Sequence, residues 1–158
     1  GLTLIELIVA VGIFGLVVGM AFGIFILALT SQRRIIALRN VEDNIRFTIE
    51  SMAREIRTGK NFSGGVGSLS FTNAKDEAVI YRLNGGIVEK SSDGGANYSA
   101  VTGSEAIINY LNFYLIGQAA DDGLQPRVTI TVGATSQVGN QSANLKIQTT
   151  ISERFLQS

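Results

Sequence analysis

Few residues in this chain can do chemistry, and the one in the most demanding setting is Glu6. It is followed by residues 7–29, 23 consecutive positions without a charged or polar side chain, and a carboxylate drawn into hydrocarbon costs about 2.5 kcal/mol or more. Such a group either stays wet at the edge of an apolar layer or finds a cationic partner. The other acidic candidates are Asp93, beside Gly94 and Gly95, and the run Asp121-Asp122-Gly123. Both could offer oxygens to calcium, but neither has the alternating acidic spacing of a calcium loop, and Asp next to Gly reads as a turn. The chain has no His and no Cys, which removes Ser-His and Cys-His nucleophiles, imidazole or thiolate zinc sites and any disulfide. No metal site, cofactor site or catalytic constellation is read, and the chain is expected not to be an enzyme.

The arginines invite a nucleic-acid or phospholipid reading, which their neighbours weaken. Arg39, Arg46, Arg54 and Arg57 share a helical face with Asp43 and Glu50, and the four-residue spacings pair opposite signs along it. With 13 basic and 13 acidic residues in the chain, no net charge points to an anionic partner, and no nucleic acid is expected.

The elements that must hold these residues follow from the apolar pattern. Residues 7–29 as a helix would be about 35 Å long, enough for a bilayer core of about 30 Å. The run exceeds a secretory signal's apolar stretch of about 7 to 15 residues, so it is expected to be retained. Within it lie Gly12, Gly15, Gly19 and Gly23, the last three at four-residue intervals. That small-residue face permits close helix approach, and each glycine also costs about 1 kcal/mol of helix propensity, so packing or local melting is expected there. Beyond Thr30, the residues Leu38, Val41, Ile45, Ile49, Met52 and Ile56 recur at intervals of three or four, one stripe of an amphipathic helix. No Pro or Gly falls between Ile24 and Thr58. One continuous helix of more than fifty residues is predicted, ending at Thr58-Gly59 with glycine as the C-terminal cap.

After Gly59 the period changes to that of strands. Residues 60–67 read as a loop, residues 68–72, 78–83 and 87–90 as strands, and Asn84-Gly85-Gly86 as a hairpin turn. Residues 91–97 read as a further loop, and residues 107–116, 127–132 and 145–151 alternate as strands with one face on a core. The predicted class is α+β: a long N-terminal α-helix packed against a C-terminal antiparallel β-sheet head of four to six strands. The expected division is 1–30, a membrane or filament-core helix; 31–58, its amphipathic continuation; and 59–158, the head.

The string Gly1, Leu2, Thr3, Leu4, Ile5, Glu6 and Leu7, leading into an unbroken apolar helix, resembles the prepilin signature of type IV pilins and pseudopilins. In that family a dedicated peptidase cuts after a glycine, the new N-terminal residue is methylated, and a glutamate five residues into the mature chain helps subunits assemble. The resemblance implies processing and N-methylation at Gly1 and Leu2, and subunit assembly through Glu6 with Leu2 and Thr3. Leu2 stands where phenylalanine or methionine is commoner in the family, and Gly23 where a proline is frequent. The implied protein is a structural subunit that waits in a bacterial inner membrane and then joins an extracellular, homo-oligomeric helical filament. Its implied partners are the prepilin peptidase and the pilus or secretion assembly machinery. Alternatives sharing the N-terminal features are a minor pilin or a type II secretion pseudopilin, and outside the family an ordinary single-span anchored binding protein. Arg33, Arg34 and Arg39 just past the span would, by the positive-inside rule alone, face the cytoplasm; the resemblance implies the opposite orientation. It also argues against routine N-glycosylation at the triplets starting at Asn61, Asn97 and Asn140.

Overall fold

The helix α1 (Leu4–Ile56) runs for 53 residues, about 80 Å at the usual rise. It holds no proline, its glycines stop at Gly23, and Thr3 and Glu6 close a capping box at its start. The computed structural model describes residues 1, 3–118 and 124–153, so Leu2 and Asp121-Asp122-Gly123 lie outside the described residues. The helix ends two residues before the expected Thr58-Gly59 stop. Arg57 keeps right-handed angles, its N–H reaching Ala53 O at 3.0 Å, and the Gly59 N–H turns back to Ile56 O at 3.1 Å. Gly59 is required for room rather than for a left-handed cap, since a Cβ there would sit 2.6 Å from Phe71 Cδ2.

Among the described residues eight strands follow, in two sheets where a single sheet was expected. The first joins β1 (Lys60–Gly64), β2 (Ser68–Thr72), β3 (Ala78–Asn84), β4 (Ile87–Ser91) and β5 (Ser99–Ala100) in sequence order, all antiparallel. The second joins β6 (Ile107–Ile116), β7 (Arg127–Val138) and β8 (Gln141–Ser152). They stay separate because the first sheet meets β6 through its turns and not through a strand. Gly67 N–H donates to Leu111 O at 2.8 Å, Phe113 N–H to Gly65 O at 2.9 Å and Ile108 N–H to Gly86 O at 2.8 Å. The outer edge of β6 is thereby sealed by backbone groups of two loops.

Among the local expectations the loop and the strand lengths are corrected, and the hairpin is met. The segment read as a loop over 60–67 contains β1, a strand with left-handed Asn61 (φ 59°) and a register break between Lys60 and Ser63. The strands read over 127–132 and 145–151 extend to Val138 and back to Gln141, which pair across a two-residue turn with Gly139 at φ 59°. The Asn84-Gly85-Gly86 hairpin is present, with both glycines at positive φ between paired Asn84 and Ile87.

The core lies between the C-terminal half of α1 and both sheets. Val41, Ile45, Met52 and Ile56 of the expected stripe are buried, but Leu38 is 45% exposed and Ile49 only partly covered. Their places are taken by Ala37 and Thr48. Ala37 is small enough for close approach, and Thr48 satisfies its hydroxyl on Asn44 O at 2.7 Å. Opposite stand Leu111, Ile130 and Val132 from the second sheet and Leu69, Tyr81 and Val88 from the first. The expected charge pairing is also shifted: Arg46 bonds Glu42, not Glu50, at 3.2 Å on an open surface, where such a pair contributes little. The polar tie that matters is Glu55, which accepts from the buried Tyr81 hydroxyl at 2.9 Å on one oxygen and from Lys90 Nζ on the other. Burial, then the Glu55 charge, pushes the Tyr81 phenol far above its ordinary pKa, so it remains a neutral donor.

Candidate functional site

Among the described residues, the N-terminal half of α1 has nothing of its own chain to pack on. Seventeen large apolar side chains from Leu4 to Leu29 are exposed, and an 18-residue apolar window of this helix has no buried residue. Burying a side chain of this kind contributes about 1.5–3 kcal/mol, so tens of kcal/mol depend on a cover that the head does not supply. The segment is long and apolar enough to cross a membrane.

Glu6 sits at the mouth of this segment in a self-contained arrangement. Thr3 N–H and Thr3 Oγ1 both donate to Glu6 Oε2 at 3.1 Å, and Glu6 N–H donates back to Thr3 Oγ1 at 3.3 Å. Two of the helix's orphan N-terminal donors are satisfied in this way. Glu6 Oε1 accepts no hydrogen bond among the described residues, so the cap uses one carboxylate oxygen only. The T-x-x-E spacing was legible in the sequence as a capping box; the sequence reading attended to the carboxylate's charge and missed its local duty.

Gly12, Gly15, Gly19 and Gly23 remain in continuous helix, and a Cβ built at any of them meets nothing within 4 Å. At 3.6 residues per turn the four fall within an arc of about 80°, and Glu6 lies outside it. Gly19 and Gly23 precede the buried Ala37 and Val41 by eighteen residues each, five full turns. The glycine face thus lies on the side of α1 that carries the head.

Asp93 is the remaining described candidate, and its oxygens are already occupied. Oδ1 accepts from Ser91 Oγ at 2.6 Å and from Asn97 N–H at 2.9 Å, and Oδ2 from Asn97 Nδ2 at 2.7 Å. These bonds, Ser91's first, hold its carboxyl well below the usual carboxylate range. The loop over 91–97 is a turn organised on one carboxylate. Because the folded value lies below the unfolded value of about 3.9, the stabilisation is present above that pH and is lost as pH falls toward the folded value. Asp93→Asn should therefore melt earlier than wild type near pH 6, with the gap narrowing below about pH 4. A gap of constant size from pH 6 to pH 3 would show that the charge is irrelevant.

Comparison with protein-family models, with characterised proteins and with solved structures finds no match to this chain. The class it defines on its own geometry is α+β, one long N-terminal helix with a bare apolar half, carrying two antiparallel sheets on its other half.

Proposed function

We propose that the chain is a structural subunit of a type IV pilus-like helical filament, held in the membrane by the apolar half of α1 until it is drawn into a bundle of such helices. The observation that carries this reading is the single unbroken helix, bare over its N-terminal half and clothed by the head over the rest. A lipid layer covers such a helix before assembly, and copies of the same helix cover it afterwards. The head then forms the outer wall. Glu6 fits the same scheme: in a low-dielectric bundle its Oε1 takes the N-terminal amine of an adjacent copy, each charge relieving the other's desolvation. That pairing sets the axial offset between neighbours. The open glycine face lets helices approach closely on the head-bearing side.

The test is mass spectrometry of the N-terminal peptide together with negative-stain microscopy of sheared surface material. The expected result is methylated Leu2 as the first residue of a protein that dominates thin filaments. Processed protein present only in traces would move the reading to a minor pilin or a secretion pseudopilin. An uncleaved chain without filaments would overturn it in favour of an ordinary anchor.

A further inference from the structure

The second sheet turns one face to α1 and the other to solvent, and the outward face has an unusual composition. Its three strands contain no Asp or Glu, and only Arg127 and Lys146 carry charge. Apart from those two cations, Gly133 and the exposed Ile107 and Ile116 near the ends of β6, the outward positions are hydroxyls, amides and two tyrosines. Thr129 and Thr150 bond each other at 2.8 Å, and Asn109 Nδ2 donates to Thr135 Oγ1, which donates to Asn144 Oδ1 at 2.6 Å. These cross-strand bonds fix the polar groups in rows.

Tyr110 is the most informative residue of this face. It pairs across the sheet with Gly133, and a Cβ at 133 would collide with its ring, Cζ 2.7 Å and Cδ1 3.0 Å away. The ring therefore lies down over the glycine backbone. A mid-strand glycine weakens a strand, and here it makes the space that holds an aromatic ring along the sheet. Tyr114 stands four residues further along the same strand and is 55% exposed, about 14 Å away at strand rise. Between them are Asn112, which pairs with Thr131, and Gln148 beyond it on β8. Neither amide is engaged by another side chain among the described residues.

We propose that this face binds neutral polysaccharide, with the Tyr110 and Tyr114 rings as stacking platforms and the Asn112 and Gln148 amides as hydrogen-bond partners for sugar hydroxyls. Sugar rings present an apolar C–H face and a rim of hydroxyls that donate and accept. Aromatic faces match the first, and free amides, which also both donate and accept, match the second. An uncharged ligand fits a surface without carboxylates and with only isolated cations, and the separation of the tyrosines calls for an oligosaccharide rather than a single sugar. The inference stands on the head alone and holds whether or not the chain assembles.

The experiment is calorimetric titration of the full chain, held in a detergent without a sugar headgroup, with cellohexaose, chitohexaose and maltohexaose. At least one should bind saturably with little dependence on salt. Tyr110→Ala and Tyr114→Ala should each weaken binding by roughly three- to ten-fold, and Tyr110→Phe should retain it. Should Tyr110→Ala prove poorly folded, because the ring also covers Gly133, the exposed Tyr114 carries the test. The proposal is overturned if none of the three binds, if Tyr114→Ala leaves binding unchanged, or if only an anionic chain such as polygalacturonate binds and salt removes it.

Discussion

Replacing Glu6 by Ala is expected to leave the chain inserted in the membrane and to stop filament growth. Two things are lost together in that variant: the observed cap on Thr3, and the charge that the proposed function has Glu6 offer to a neighbour. Loss of the cap costs about 0.5–2 kcal/mol of helix stability, a local fraying that lipid-embedded turns tolerate. In the proposed bundle, loss of the charge removes the partner of a buried amine in an adjacent copy, a far larger penalty at low dielectric. Glu6→Gln separates the two. Glutamine also serves as the third residue of a capping box, so it preserves the Thr3 bonds and removes only the charge. Membrane fractionation and microscopy of sheared material should show both variants inserted and both without filaments. Normal filaments from Glu6→Gln would show that capping is the whole of the residue's role.

The second large effect is expected in the core. Ile45→Ala removes a fully buried side chain from the seam where α1 meets both sheets, and such truncations cost about 2–5 kcal/mol. In a chain of this size that corresponds to a fall in melting temperature of roughly 5–15 °C. Phe47, two positions along, is the control: it is as apolar but 63% exposed, so Phe47→Ala should move the melting temperature of the detergent-held chain by only a degree or two. Equal shifts for the two variants would mean that the head does not seat on this face of the helix.

The helix was legible almost to its ends because the relevant signals are local: an unbroken apolar run, then a three-and-four stripe, with no breaker before Gly59. The exact contact face was less so. Leu38 and Ile49 look more suited to a core than Ala37 and Thr48, yet the depth of a helix face is set by how closely the sheet can approach, and hydrophobicity alone does not report that. Gly59 shows the same limit, since its position matches a cap but its reason is the Phe71 ring. Strand alternation marked most of the head, and it carries no information about which strands share a sheet. That division depends on the backbone bonds that Gly65, Gly67 and Gly86 make to β6, contacts between residues more than twenty positions apart. The β1 segment was hidden by its glycine and serine content and by the left-handed Asn61. At the candidate site, Glu6 and the four glycines lie on the long helix that the apolar run predicted. That the glycines share a side with the head required the count of turns from Gly19 and Gly23 to the buried Ala37 and Val41.

The sealed edge of β6 has a consequence for how heads can meet. With that edge closed by loops, the three-stranded sheet can be widened only beside β8. Two heads that joined along β8 would use up both available edges of this sheet, leaving it no unpaired strand to recruit a third, while the five-stranded sheet keeps its own short edges at β1 and β5. Sideways sheet growth therefore halts at a pair, whereas a sheet open on both sides could extend without limit. Beside a helix left bare over half its length, the second sheet of the head is built to stop.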